Sequence, residues 1–317
     1  MTQLKVSDLS HVRLKSPDLD IAEQFLTDFG MVKVERTATA LYMRGTGPAH
    51  HIHVTELGAP KVVGLAFEVA SADALAAFAK LPGATGVETI DEPGGGRRVR
   101  LADPNGYQIE IVHGIATAAP IAVPPRLLNL GSGPVQRTGT LMRMSPQPAR
   151  VKRIGHAVMV AQAYEKTLRW YQETLGLVPS DNVWLESPDH TFASFNRLDR
   201  GDTFVDHHVF MLSRGTGQAT GMNHISFEVQ DFDDVMLGHE YLKSRERYKH
   251  YWGVGRHYLG SQIFDYWGDP WGRGHEHWTD GDLLNAGHEF TNVPIDIGFN
   301  SQWGSEPPRE FVELASP

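Results

Sequence analysis

Two histidines and a glutamate, far apart in the chain, carry the first chemical signal. They are His156 in Ile154-Gly155-His156-Ala157-Val158, His224 in Asn223-His224-Ile225-Ser226-Phe227, and Glu276 just after Asp269-Pro270-Trp271-Gly272. Each lies in a strand-like setting. Two neutral imidazoles and one carboxylate suit a divalent metal and leave coordination positions open, the 2-His-1-carboxylate pattern of non-haem iron(II) sites. Groups able to move protons or donate hydrogen bonds lie between them: the pair His207-His208, His257 in Gly255-Arg256-His257, and Tyr266.

Strand alternation sorts these residues by face. Across 222–229, Asn223, Ile225, Phe227 and Val229 share a face that reads as core, while Met222, His224, Ser226 and Glu228 share one that can line a cavity. If 204–212 is one unbroken strand, His208 falls with Phe210 and Leu212, and His207 falls opposite. That parity favours His208 over His207 as the residue at the edge of a pocket.

The elements that must position these groups occur twice. Residues 9–34 and 154–180 each read as an apolar strand with one His, a helix, a Gly stop and a second strand. In the first helix Ser16 is the expected cap, Pro17 occupies the first turn, and Ile21, Phe25 and Phe29 share a face. In the second, Tyr164, Leu168, Tyr171 and Leu175 form the stripe and Gly176 is the stop. His50-His51-Ile52 matches His207-His208-Val209, and Leu65–Val69 matches Ile225–Val229. Asp103-Pro104-Asn105-Gly106…Glu110 matches Asp269-Pro270-Trp271-Gly272…Glu276. The reading is an α+β chain of two homologous domains, each of two βαβββ modules forming a cupped, barrel-like mixed sheet. The domains are placed at 1–118 and 151–285, with a linker at 119–150 and a C-terminal extension at 286–317. The N-terminal half keeps His11 and Glu110 but has Gly64 where the other half has His224, so any metal is expected in the C-terminal domain. His50, His51 and His53 then read as relics of duplication, and His275 and His277, flanking Glu276, as structural or solvent-exposed.

The bulk properties narrow the classes further. The chain has 317 residues, with 29 basic and 38 acidic side chains and a net charge of −9. No basic patch stands out, and Lys243–Lys249, where charges alternate, reads as a solvated helix face, so a nucleic-acid partner is not expected. With no cysteine, disulfides, iron–sulfur clusters and thiol catalysis are excluded. No targeting pattern or membrane-spanning apolar run is visible, and a cytoplasmic protein is expected.

Gly255, His257, Tyr266, Asp269, Pro270, Gly272 and Glu276 together resemble the signature of the type I extradiol ring-cleavage dioxygenases of the vicinal oxygen chelate superfamily. The resemblance covers nearly the whole chain, because the duplicated layout matches too. One position departs: the residue before Tyr266 is Asp265, where the family has an apolar side chain. The resemblance implies that His156, His224 and Glu276 hold Fe(II), with Mn(II) accepted by the same ligands. It implies His208 as acid/base, and His257 and Tyr266 as hydrogen-bonding partners of the substrate oxygens. The implied activity is O2-dependent meta cleavage of a catechol-type diol to a ring-opened semialdehyde or keto acid, in a homo-oligomer. Asp265 is expected to touch the pocket wall beside Tyr266. Together with the aromatic residues Tyr251, Trp252, Trp267 and Trp271, it suggests a divergent branch acting on a monocyclic or otherwise substituted catechol. The alternatives are a hydroxyphenylpyruvate-type dioxygenase, a glyoxalase-like isomerase, or a non-catalytic binding protein on the same fold. The Gly-x-His and Tyr placement argues against the two enzymes, and the intact triad against the binding protein.

Overall fold

The computed structural model describes residues 4–317. In the N-terminal half, β1 (Asp8–Ser16), α1 (Leu19–Asp28), β2 (Val32–Arg36), β3 (Ala40–Arg44) and β4 (His53–Leu57) form one module. A second contains β5 (Lys61–Glu68), α2 (Ala72–Phe78), β6 (Glu88–Thr89), β7 (Arg97–Ala102) and β8 (Gln108–His113). After a largely exposed stretch without helix or strand come β9 (Val151–Ala161), α3 (Tyr164–Leu175), β10 (Leu177–Trp184), β11 (Thr191–Leu198), the short β12 (Val205–Asp206) and β13 (Phe210–Arg214). The fourth module is β14 (Gly221–Val229), α4 (Phe232–Ser244), β15 (Lys249–His257), β16 (Ile263–Gly268) and β17 (Gly274–Thr279). The chain ends with β18 (Leu283–Leu284), β19 (Thr291–Pro294), α5 (Ile295–Gly298), β20 (Ser301–Trp303) and α6 (Arg309–Val312).

The two large sheets repeat one topology. The first has eight strands in the order β2-β3-β4-β1-β5-β8-β7-β6. The second has ten, β19-β10-β11-β13-β9-β14-β17-β16-β15-β20. Without the edge strands β19 and β20, the orders correspond strand for strand. In each, the first strands of two modules pair antiparallel at the centre, β1 with β5 and β9 with β14. Both parallel and antiparallel pairs occur, so the sheets are mixed. Helices pack on the outer faces and leave the inner, cupped faces free for a cavity.

Local sequence sets the element ends. Helix α3 stops at Gly176, whose φ of 71° is left-handed, a conformation glycine adopts without the Cβ penalty. Helix α1 starts two residues later than Ser16 implied. Its cap is Asp18, whose carboxylate accepts from the amides of Asp20 and Ile21, and Ser16 instead ends β1. The buried face of α1 is Leu19, Ala22, Phe25 and Leu26, and Ile21 is exposed. Residues 243–249 also depart from the sequence reading: α4 ends at Ser244, and a turn leads into β15.

A single apolar core runs through both halves, with Phe25 and Phe29 from one and Phe227 and Trp267 from the other. His275 and His277 belong to this junction and are fully buried, so neither is solvent-exposed. His277 Nε2 donates to the Phe29 carbonyl at 2.6 Å and its ring stacks on Phe29. Burial lowers both side chains to pKa values of about 4, so both are neutral near pH 7. Among the described residues, no helix is long and apolar enough to cross a membrane.

Candidate metal centre

Three adjacent central strands, β9, β14 and β17, carry His156, His224 and Glu276 respectively. The structure brings the three together, with one donor atom from each within 4.8 Å of the others. His156 Nε2 lies 2.9 Å and His224 Nε2 3.4 Å from Glu276 Oε2. Ligands at right angles around a metal at about 2.1 Å would be roughly 3.0 Å apart, so the spacing suits a shared cation. Glu276 is fully buried. Its two oxygens and His224 Nε2 have no hydrogen-bond partner among the described residues. Burial would raise the Glu276 pKa, but the surrounding histidines outweigh it and hold the carboxyl well below its usual range. A buried carboxylate facing imidazole nitrogens with its lone pairs unused is a donor set for a divalent cation.

A β-bulge orients His224. Met222 and His224 pair with consecutive residues of β9, Met159 and Val158, so Asn223 is an extra residue on its strand. The bulge reverses the expected faces at this end of β14. Met222 joins the core, while Asn223 and His224 both line the cavity. The Asn223 amide nitrogen donates to the carbonyls of Phe311 and Leu314 at 2.9 and 3.0 Å. With those donors committed, Asn223 Oδ1 accepts from His224 Nδ1 at 2.7 Å, which turns the bare Nε2 toward Glu276. Sequence reading missed Asn223 because pairing register, not residue type, places it there.

The cavity above these residues has a volume of about 390 Å³, within the range of small-molecule sites. His208 stands on the His156 side, with ring centroids 4.1 Å apart, and is buried. Its position differs from the parity argument. Residues 204–212 are not one strand, because the chain breaks between Asp206 and Phe210. Phe210 and Leu212 lie in the core, and His208 shares the cavity with Met211 and Ser213. His207 points elsewhere, with Nε2 2.6 Å from Asp181. Burial and the neighbouring His156 and His207 hold His208 well below the usual histidine range.

His257 and Tyr266 stand on the other side. Tyr266 pairs directly with Glu276 across β16 and β17, and its ring lies 4.9 Å from His224. Its hydroxyl is 2.7 Å from His257 Nε2. Burial, reinforced by Glu276, raises the Tyr266 hydroxyl well above its usual pKa, so it stays protonated and able to donate. Val158, Phe192, Phe195, Met211, Leu259 and Phe299 supply apolar wall. The C-terminal segment closes one side: Phe311 packs 4.4 Å from the Tyr266 ring and stacks over His224.

Asp265 does not touch this cavity. It is fully buried, with its carboxylate toward His239 and His250 on the far side of β16 from Tyr266. Of the four aromatic residues singled out with it, Trp252 lines the cavity. Tyr251 hydrogen-bonds the Gly272 carbonyl, and Trp267 lies in the core.

The counterpart centre in the N-terminal half is filled by charge. His11 and Glu110 lie 3.7 Å apart, but Arg13 reaches Glu110 at 3.4 Å and Glu92 and Glu56 at 3.0 Å.

Residues 153–272 match the family model of the Glyoxalase/Bleomycin resistance protein/Dioxygenase superfamily. Metapyrocatechase 2 of Cupriavidus necator is 28% identical over 310 residues, covering 97% of this chain and 92% of its own. Among solved structures, the Mn(II)-bound glyoxalase of Novosphingobium aromaticivorans has a TM-score of 0.78 at 21% identity, covering 99% of this chain and 95% of its own. Homoprotocatechuate 2,3-dioxygenase of Brevibacterium fuscum also has a TM-score of 0.78, at 17% identity, over 99% of this chain and 93% of its own. The chain thus carries a domain of this superfamily in its C-terminal half and is similar over nearly its full length to a metapyrocatechase.

Proposed function

We propose that this protein cleaves a catechol-type diol at the bond beside its two hydroxyls, inserting both atoms of O2 to give a ring-opened semialdehyde or keto acid. The observation that carries this reading is the convergence of His156, His224 and Glu276 beneath a cavity that also presents His208, His257 and Tyr266. An isomerase or a sequestering protein has no need of hydrogen-bonding groups on both sides of the open coordination positions.

His156, His224 and Glu276 would hold a non-haem divalent metal, Fe(II) in our reading. Bound there, it would supply a Lewis acid that lowers the pKa of a diol hydroxyl and accepts both diol and O2. The chain's own residues divide the remaining work. His208, a neutral imidazole beside His156, accepts a proton from the bound diol and returns it as the ring opens. Tyr266 donates a hydrogen bond from the His224 side, and its contact with His257 fixes the direction of that donation. The apolar wall and Phe311 keep bulk water from the reacting atoms and accept an uncharged ring substituent.

Anaerobic reconstitution with Fe(II), followed by catechol or 3-methylcatechol in air, tests the reading. The expected result is O2 uptake with a yellow ring-fission product, lost in His224→Ala. Bound iron without O2 uptake on any catechol would overturn it. Parallel loading with Mn(II) decides which metal supports turnover.

A further inference from the structure

The sequence departs from its family at Asp265, and the structure gives that departure a setting. Asp265 lies in the middle of β16, fully buried, yet it is a charged side chain in a strand otherwise made of Ile263, Phe264, Tyr266, Trp267 and Gly268. Its Oδ2 is fixed by the Trp267 indole N–H at 2.5 Å. Its Oδ1 faces two imidazoles from two other elements: His239 Nδ1 on α4 at 3.1 Å, and His250 Nε2 at the start of β15 at 2.8 Å. The two rings are nearly perpendicular, with centroids 4.9 Å apart. The three donor atoms all lie within 4.8 Å of one another.

We propose that His239, His250 and Asp265 form a second metal site, separate from the catalytic cavity, that takes Zn(II). Two nitrogens and one oxygen, completed by water, are a tetrahedral zinc donor set, whose ligands at about 2.0–2.1 Å would lie roughly 3.3 Å apart. Two neutral imidazoles and a carboxylate carry one net negative charge, which a divalent cation reverses. The Trp267 N–H occupies the carboxylate oxygen that would not ligate, the role of an outer-shell partner. The His250 side chain is 32% exposed and that of His239 13%, so water and the ion can reach the site while the carboxylate stays dry. The metal would clip α4 to the β15–β16 hairpin, which carries His257 and Tyr266 on its other side. Its role is therefore structural support for the catalytic wall. Without a metal, the same three groups would be a hydrogen-bonded His-Asp-His cluster, and stoichiometry separates the two descriptions.

The test is titration of the chelator-stripped full chain with Zn(II) alone, bound metal being measured after desalting. The expected result is two equivalents in the parent, and one each in His224→Ala, His239→Ala and His250→Ala. The double variant His224→Ala/His250→Ala binds none. In the His224→Ala background, Zn(II) raises the melting temperature, and adding His250→Ala removes that rise. His224→Ala with no bound Zn(II), while the parent binds one equivalent, overturns the proposal and leaves the catalytic reading intact. Co(II) in folded His224→Ala gives a check that needs no further substitution. An intense tetrahedral d–d band supports the site, and its absence counts against it.

Discussion

Asn223 joins two functions through one amide, and replacing it separates them. In Asn223→Ala, His224 Nδ1 loses its acceptor, and the carbonyls of Phe311 and Leu314 lose both donors. Loss of an outer-shell partner weakens metal affinity about 10–100-fold, or about 1.4–2.7 kcal/mol. Each lost tether bond costs about 0.5–1.5 kcal/mol, so the C-terminal segment should loosen by about 1–3 kcal/mol. Asn223→Asp divides the effects. Its carboxylate still accepts from His224 Nδ1, so metal affinity stays near that of the parent. It cannot donate to either carbonyl, so the tether is lost. Anaerobic Fe(II) titration reads the first effect, and hydrogen exchange over residues 305–317 reads the second. Unchanged metal affinity in Asn223→Ala would refute the orienting role. Full protection of the C-terminal segment in Asn223→Asp would refute the tether.

Tyr266→Phe removes the hydroxyl next to His257, and kcat should fall about 10²–10³-fold with one metal still bound at the catalytic centre. Rapid kinetics with metal analysis checks both. Arg13→Met leaves Glu92 and Glu110 with Arg98 and Glu56 with Lys15 as their remaining cations. Because each carboxylate keeps a cation, the loss should fall below the roughly 3–5 kcal/mol of a fully broken buried pair, visible in the urea midpoint, while activity per folded molecule is retained. His51 is buried, and desolvation, aided by the nearby His11, His50 and Arg13, lowers its pKa to about 2. The unfolded chain binds a proton at His51 below about 6.5 that the native form refuses. The stabilising contribution is therefore whole above that pH and is lost as pH falls toward 2, by at most about 1.4 kcal/mol per pH unit. Urea unfolding at pH 7, 6 and 5 should show a shallower decline in His51→Gln than in the parent. Equal slopes would remove His51 from the account.

What was legible in the sequence was whatever repeats. His156, His224 and Glu276 stand at corresponding places in strands that occur twice, and the strand orders of the two sheets match for that reason. What stayed hidden depends on single-residue shifts in register. Alternation across 222–229 sent Asn223 to the core, and one bulged residue sends it to the cavity. Alternation across 204–212 favoured His208 for sharing a face with Phe210. His208 does line the cavity, but because the strand breaks and Phe210 turns into the core. Side-chain period is two, so one extra or unpaired residue inverts every assignment beyond it. Sequence carries no local mark of that event. Asp265 shows another blind spot: an acidic residue in a strand looked like a pocket feature, and only the positions of His239 and His250 reveal which face it serves.

The N-terminal half carries different side chains at the counterpart positions on the same sheet topology. His11 and Glu110 remain at the register of His156 and Glu276, and Gly64 stands at that of His224. The pairing partners also differ. His224 lies opposite Gly274, whereas Gly64 lies opposite Gln108. A Cβ at Gly64 would sit 1.7 Å from the Gln108 carbonyl oxygen, so the backbone there has closed up around the missing side chain. The charge environment differs as well. Arg13 stands two residues beyond His11, as Val158 stands beyond His156, and its guanidinium meets Glu110 where the other half has open cavity. Glu110 is held at a pKa of about 2: burial would raise it, but His11 and the arginines outweigh that. A permanent organic cation satisfies the carboxylate. Restoring histidine at position 64 would then meet both a backbone clash and an occupied charge site. Gly64→His alone is therefore expected not to assemble a three-ligand metal site in this half, which metal titration of that variant checks.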